Sequence, residues 1–146
     1  MKTKILITIF TLCFFLLNII SCKSNKLSLQ DNQVNSMLKN FYTAYITERS
    51  KMPQNSEKID SIVKRFGSTK LQKQRKNPEI DYDLLLDGQF CEMEWLNSMV
   101  ISRDKVNDHL YTVSFDYLID NEKKQKKIQL LILKDNSSYK IDSVIP

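Results

Sequence analysis

The spacing of apolar side chains changes once along this chain, and that change restricts the fold more than any other feature of the sequence. Between residues 34 and 66 apolar side chains recur at steps of three and four, a period that predicts amphipathic helices. From residue 99 onward apolar and polar side chains alternate, which predicts β-strands. Helices followed by an antiparallel meander indicate an α+β fold, in which two to three helices must cover one face of a four-stranded sheet.

Three helical segments are predicted in the first half of the chain. The first begins near Ser28, which has a capping-box-like sequence after it, and fades before Pro53. The second begins at Asn55 and ends at Gly67, where a left-handed glycine commonly follows a helix. A shorter third helix is predicted over residues 69–76.

Four strands are predicted in the second half, after an ambiguous segment at residues 80–95 that contains three consecutive leucines. The strand pattern begins at Leu96. Residues 128–133 are almost continuously apolar, which predicts a central strand covered on both faces. Polar turn residues separate successive strands at positions 107–108, 120–122 and 136–137.

The first 22 residues have the parts of a bacterial export signal. Lys2 and Lys4 precede an apolar run over residues 5–20, and the small Ser21 stands before Cys22. The run has about 16 residues, which is shorter than the roughly 20 that a membrane-spanning helix needs. An uncleaved signal anchor is therefore the less favoured alternative to a cleaved signal.

The end of this segment, Ile19-Ile20-Ser21-Cys22, resembles the lipobox of bacterial lipoproteins. The resemblance implies transfer of a diacylglyceryl group to the Cys22 sulfur and cleavage after Ser21. It divides the chain into a signal peptide (1–21), a lipidated tether (22–30) and a single α+β domain (31–146). Each buried acyl CH₂ contributes about 0.8 kcal/mol, so two or three palmitate-like chains hold a protein stably at a membrane.

The residue after Cys22 bears on location. Lys23 stands there instead of the aspartate that retains some lipoproteins in the inner membrane. We therefore expect attachment to the outer membrane, facing the periplasm, with the inner membrane as the alternative. Removing Lys2 and Lys4 from the 22 basic side chains leaves 20 against 17 acidic ones, a balance too mild to predict nucleic-acid binding.

Three segments of the mature chain together resemble the small bacterial lipoproteins of domain-of-unknown-function family 3828. They are Phe41-Tyr42 with Tyr45, the segment from Asp81-Tyr82-Asp83 to Gln89, and Tyr139-Lys140-Ile141-Asp142. The resemblance is diffuse and spans most of residues 34–144. It implies a cystatin or nuclear-transport-factor-2-like architecture, with a long helix clasped by a curved sheet around a cone-shaped cavity. The family brings no catalytic residues to this chain.

Two groups of side chains have the residue types of a catalytic or metal site without the matching pattern. Cys91 and His109 have the types of a nucleophile and base, but no signature surrounds the cysteine and the histidine stands at a predicted turn. Five acidic residues are interrupted by three leucines, so their spacing does not fit a calcium loop. We expect no metal, no cofactor, a half-buried free thiol, and a solvated acidic loop beside a buried leucine plug. The acidic residues are Asp81, Asp83, Asp87, Glu92 and Glu94.

Two basic clusters have either a membrane role or none. Lysines near an anionic membrane contribute about 1 kcal/mol each, but they are also ordinary on helix surfaces and at strand edges, which is the favoured interpretation. The first cluster is Lys64, Arg65, Lys70, Lys73, Arg75 and Lys76, and the second is Lys123, Lys124, Lys126 and Lys127.

Five aromatic residues are candidates for lining a pocket between the first helix and the sheet. Core packing is the favoured interpretation, because large aromatic side chains usually fill cores. The five are Tyr42, Tyr45, Trp95, Phe115 and Tyr117.

The sequence contains no glycine-rich phosphate loop and no nucleophile elbow. The favoured hypothesis is a non-catalytic, lipid-anchored envelope module that binds an envelope protein or small ligand through the concave face of the sheet. The alternative is a small hydrolase with its site in the helix–sheet cavity, where Asp116 or His109 would have to converge.

Overall fold

The computed structural model describes residues 28–145. The predicted signal peptide, the lipid-attachment residue Cys22 and residues 23–27 of the predicted tether lie outside the described residues. Helix α1 covers residues 28–49, so it already includes residues 28–30, which the sequence had placed in the tether. From Val34 onward the chain belongs to one compact unit.

Two further helices follow α1, and side-chain caps explain where each begins. Helix α2 spans Ser56–Phe66, and the Asn55 side chain accepts a hydrogen bond from the backbone N–H of Lys58. Helix α3 spans Thr69–Arg75 after the capping residue Ser68. The predicted starts of both helices are confirmed.

Gly67 does not adopt the left-handed conformation that its position after α2 predicts. Its backbone is extended, with φ −101° and ψ 156°. It forms a parallel bridge with Ile141, and the next backbone N–H, that of Ser68, donates to the Ile141 carbonyl at 2.8 Å. A Cβ at Gly67 would lie 2.7 Å from Leu71 Cδ2 and 2.8 Å from the Val63 carbonyl oxygen. The glycine is needed here for close approach rather than for a left-handed turn.

The sheet has four antiparallel strands in the order β1-β2-β3-β4. Tight turns join β2 to β3 and β3 to β4. Asp120 and Asn121 in the first of these turns and Asn136 in the second have positive φ. This confirms the α+β class and the predicted meander. The strands are β1 (Val100–Arg103), β2 (Leu110–Ile119), β3 (Glu122–Asp135) and β4 (Ser138–Ile145).

Two predictions for the strand region are wrong. Residues 96–98 belong to a 3-10 helix, Met93–Ser98, rather than to the first strand. Strand β3 is central, but it is covered on one face only: Ile128, Leu130 and Ile132 are buried, while Leu133 is 49% exposed. The strand is also longer than its apolar run, because its lysine-rich first half pairs with β2.

The core lies between the helices and the inner face of the sheet. From α1 it takes six fully buried residues, and from the segment between α3 and the sheet it takes the predicted leucine plug. The α1 residues are Val34, Leu38, Phe41, Tyr42, Tyr45 and Ile46, and the plug is Leu84, Leu85 and Leu86.

The outer edge of β4 is covered by residues that precede it in the chain. The Gln74 side chain donates to the Val144 carbonyl at 2.8 Å and accepts from the Val144 N–H at 3.0 Å. It therefore replaces the backbone partner that a further strand would supply, which protects the edge against pairing with another chain.

Replacing Gly67 with alanine is predicted to lower the free energy of unfolding by roughly 1–3 kcal/mol, because the added methyl group meets a backbone oxygen and a buried leucine. Urea unfolding measures the change. Gly88→Ala is the matched control. Its Cβ would meet only the flexible end of Lys126 within 3 Å, so a change below about 0.5 kcal/mol is expected. Equal losses in the two variants would contradict the packing argument.

Candidate functional site

Four of the five candidate aromatic residues lie in one series of ring contacts that joins helix to sheet. Tyr42 of α1 meets Phe115 of β2 edge-on, with ring centroids 5.3 Å apart. Phe115 lies 6.0 Å from Trp95, and Trp95 lies 5.8 Å from Tyr117. The sequence therefore identified side chains that the fold does bring together.

The fifth residue, Tyr45, joins the series through Phe41. The Phe41 centroid lies 5.2 Å from that of Tyr45 and 5.0 Å from that of Tyr42. Tyr42, Tyr45 and Phe115 are completely buried. The rings thus occupy the space between α1 and β2 themselves, and of the five residues Trp95 and Tyr117 line a surface groove.

A buried carboxylate lies at the α1 end of this series. The Tyr45 hydroxyl donates to Asp83 Oδ2 at 2.8 Å. Arg49 Nε lies 2.9 Å from the same oxygen, close enough for an ion pair although its N–H is not aligned for a hydrogen bond. The Leu85 N–H donates to Asp83 Oδ1 at 3.0 Å. The Asp83 side chain is 7% exposed, so two hydrogen-bond donors and one ion pair compensate the loss of its hydration.

The same residue organises its own loop. The backbone N–H groups of Asp83 and Gly88 each donate to the other's carbonyl, at 3.0 and 3.3 Å, which closes a tight turn. Leu84, Leu85 and Leu86 lie inside this turn and are buried. The Asp83 carboxylate therefore fastens a loop with an apolar interior to helix α1.

A polar pocket of about 340 Å³ opens beside this carboxylate. Arg49 and Arg75 both line it, with side chains 19% and 21% exposed. Arg49 also donates to Gln54 Oε1 at 2.7 Å, and Arg75 lies 3.2 Å from Asp60. Both guanidinium groups are therefore already engaged within the chain.

The tyrosines of this region are held neutral. Burial, and then the charge of Asp83, raise the pKa of Tyr42 and of Tyr45 well above the usual value for a phenol. The Tyr42 hydroxyl has no hydrogen-bond partner among the described residues. Tyr45 acts as a hydrogen-bond donor to the carboxylate rather than as a base.

Cys91 and His109 have different surroundings. Cys91 is a half-buried free thiol, as predicted, and burial raises its pKa. The charged groups that act on it are Arg49, Asp83 and Glu92, and His109 is not among them. His109 lies exposed in the β1–β2 turn. The thiol therefore stays protonated at neutral pH, the unreactive form.

A second concavity, the Trp95 groove, lies at the Trp95–Tyr117 end of the aromatic series and has a volume of about 320 Å³. Trp95, Tyr117 and Leu118 give it an apolar floor and wall. Its remaining lining residues are polar or charged: Glu92, Glu94, Ser98, Asp116 and Lys123.

The five acidic candidates separate into different environments. Asp83 was expected in a solvated loop and is instead buried, because Tyr45 and Arg49 compensate its charge. Glu92 and Glu94 are exposed at the Trp95 groove, and Asp81 is exposed at the polar pocket.

Within residues 28–145 no three histidine, cysteine, aspartate or glutamate side chains come together as a metal site. No helix in the same range is long and apolar enough to cross a membrane.

Several members of the two basic clusters have partners within the chain. Lys70 lies 2.9 Å from Asp142, and Lys123 lies 2.8 Å from Asp116. Lys126 donates to the Asp87 carbonyl at 2.5 Å. Its ammonium also lies over the rings of Trp95 and Tyr117, 5.4 and 5.6 Å from their centroids.

Sequence reasoning did not identify Arg49 or the central position of Asp83. One signal was present, because Arg49 follows Tyr45 by four residues and therefore lies on the same face of α1. The partner acid is 34 positions away in an irregular loop, and no periodic pattern predicts such a pairing.

No protein-family model matches this chain, and no curated protein matches it significantly. Solved structures with a similar fold include a protein of unknown function from Bacteroides thetaiotaomicron VPI-5482. The TM-score is 0.69 with 19% sequence identity, over 85% of this chain and 98% of that chain. A chain of the type VI native effector–immunity complex Tae3–Tai3 from Ralstonia pickettii gives a TM-score of 0.54 with 17% identity, over 75% and 91% of the two chains. These likenesses concern the fold alone.

The Asp83→Asn variant is predicted to lose about 1–3 kcal/mol of unfolding free energy, because it leaves the partly buried Arg49 without its counter-charge. Asp81→Asn, at an exposed position two residues earlier, should change stability by less than about 0.5 kcal/mol. Chemical denaturation of both variants provides the comparison. If Asp83→Asn were as stable as the unmodified protein, the carboxylate would not hold the loop.

Alkaline unfolding tests the environment of Tyr45. The raised pKa means that the folded state keeps a proton that the unfolded state releases above about pH 10, so stability falls as pH rises past that value. Each tyrosine held neutral contributes a slope of about 1.4 kcal/mol per pH unit. Tyr45→Phe should make the slope measured by urea unfolding shallower by that amount. A slope that Tyr45→Phe leaves unchanged would refute the assignment.

Proposed function

We propose that this protein is a lipoprotein of the cell envelope, anchored to a membrane through Cys22, and that it is a non-catalytic module binding another protein at its surface. The anchor is supported by the lipobox-like sequence that ends in Cys22. Two or three acyl chains, at about 0.8 kcal/mol per buried CH₂, suffice for stable attachment. Attachment to the outer membrane, facing the periplasm, is part of the proposal.

The observation that carries the binding part is the packing of aromatic rings between α1 and the sheet. Tyr42 and Phe115 are completely buried and in contact, so the inner face of the sheet is occupied there by the chain's own side chains. The hypothesis of binding through the concave face is therefore replaced by binding at the outer surface. A module whose interior is filled interacts through exposed grooves and patches.

The neighbouring structures give this proposal a second support. One of them is a chain in an effector–immunity complex, in which proteins are bound to one another. Partner binding is thus compatible with a fold of this kind, although fold alone does not determine function. The narrower resemblances, to family 3828 and to the cystatin-like architecture, stay predictions.

The alternative, a small hydrolase in the helix–sheet cavity, has less support. Asp116 lies at the surface, paired with Lys123, and His109 lies in an exposed turn. The Cys91 thiol has a raised pKa, the opposite of an activated nucleophile.

The Cys22→Ala variant is predicted to lack the fatty acyl mass and to keep residues 1–21 attached, because cleavage after Ser21 follows formation of the thioether. Mass spectrometry of the purified protein measures both effects. Cys91→Ala removes the other cysteine of the mature chain and should leave both the acyl mass and the cleavage intact. A Cys22→Ala protein whose mass differs from that of the unmodified protein only by the substitution refutes the anchor.

Cross-linking of the full lipoprotein in intact cells tests the binding proposal. We expect one partner protein to be cross-linked to the lipoprotein in reproducible yield. The cross-linked product should be absent from cells in which that partner is deleted. The absence of any cross-linked protein under conditions that cross-link a known envelope complex would refute the binding proposal and leave the anchor unaffected.

A further inference from the structure

The Trp95 groove has the walls that a long, partly apolar side chain requires. Trp95 is 6% exposed and forms part of the lining, while Leu118 at the rim is 70% exposed. The buried indole N–H of Trp95, which can only donate, has no acceptor among the described residues. That N–H is itself buried, so the surface of the groove is provided by the apolar side chains.

The charges at the groove are of one prevailing sign. Glu92, Glu94 and Asp116 line it, against the single ammonium group of Lys123. That ammonium lies 2.8 Å from Asp116 and is already paired. Hydrogen bonds from Lys123 and Gln125 lower the pKa of Asp116, so its carboxylate stays ionised well below neutral pH. A second ammonium group, that of Lys126, lies over the Trp95 and Tyr117 rings and donates to the Asp87 carbonyl. The exposed carboxylates of Glu92 and Glu94 are therefore the groups left to receive a further positive charge.

Three exposed apolar residues stand close in sequence to residues that line the groove. Phe90 is 78% exposed, Met93 43% and Ile119 42%, and each lies within two residues of the groove lining in sequence. Exposed apolar side chains of this size around a charged groove are typical of a protein-binding surface. The three carboxylates disfavour an anionic lipid surface, because they would repel its headgroups.

We propose that the Trp95 groove receives an arginine side chain, flanked by apolar residues, from a protein partner. This inference rests on the proposed function as a protein-binding module. The arginine's aliphatic stem lies against Trp95, Tyr117 and Leu118. Its guanidinium group meets Glu92 and Glu94. Arginine fits better than lysine, because its flat group packs against aromatic side chains and bonds carboxylates in a bidentate manner.

The test uses the full lipoprotein in non-ionic detergent and the tripeptide acetyl-Leu-Arg-Leu-amide as probe. Trp95 is the single tryptophan of the chain, so its fluorescence reports on the groove directly. We expect the Trp95 fluorescence to change saturably as the peptide is added, with a dissociation constant on the order of 1 mM, the range of very weak ligands. Acetyl-Leu-Gln-Leu-amide has the same apolar flanks without the charge and should bind at least roughly threefold more weakly.

Variants locate the effect. Glu92→Gln and Glu94→Gln each remove a negative charge while keeping the shape of the side chain. Together they should raise the dissociation constant of the arginine peptide roughly tenfold. Glu79→Gln, an exposed glutamate outside the groove lining, should leave binding unchanged. Equal binding of both peptides, or an unaffected double variant, would overturn the proposal. A change of Trp95 fluorescence with phosphatidylglycerol vesicles but not with the arginine peptide would identify a membrane contact instead and would also overturn it.

The outcome separates the groove from the general proposal. If the arginine peptide does not bind while the native lipoprotein still cross-links to its partner, the groove assignment fails and the binding function stands. If the peptide binds as expected and no protein is cross-linked in cells, the groove's chemistry is correct and the envelope-binding function fails.

Discussion

Tyr42 and Phe115 meet edge-on between helix α1 and strand β2, and this contact determines which surfaces of the protein can act. An aromatic pair of this geometry contributes about 0.5–1.5 kcal/mol beyond the burial of its area. The series continues to Trp95 and Tyr117, whose outer parts line a groove. Because the rings occupy the helix–sheet interior here, the proposed binding is assigned to the surface where the series ends rather than to the inner face of the sheet.

Charged groups fix both ends of the loop over residues 81–89. At one end the Asp83 carboxylate is held by Tyr45 and Arg49 of α1. At the other end Lys126 of β3 donates to the Asp87 carbonyl. The leucines between the two ends are buried, so the loop is held by apolar burial in its middle and by polar contacts to helix and sheet at its ends. An irregular segment thereby becomes a fixed part of the core and positions the Glu92 side of the Trp95 groove.

Periodic patterns predicted most of the fold, and contacts between distant residues account for what they missed. The stripe of α1 and the alternation of β2 predicted the core, and Asn55 predicted the start of α2, because each is a local signal. Gly67 was misassigned because its environment depends on Ile141, 74 residues later. The aromatic candidates were found because they lie on apolar faces. The charged rim of the groove was not predicted, since residues of the 3-10 helix, β2 and β3 come together there only in the folded chain.

The positive charge of this chain is a weak basis for membrane attachment. The formal net charge is +5, yet Lys70 and Lys123 are paired with carboxylates and Lys126 lies against two rings and a carbonyl. Basic side chains that are engaged in this way cannot contribute the full 1 kcal/mol or so that a free lysine gains near anionic lipid. Fatty acyl chains at Cys22 need no such charge, since their contribution of about 0.8 kcal/mol per CH₂ comes from burial alone. Lipid at that sulfur is therefore the stronger candidate for holding the protein at a membrane, and it leaves the acidic Trp95 groove free for a protein partner.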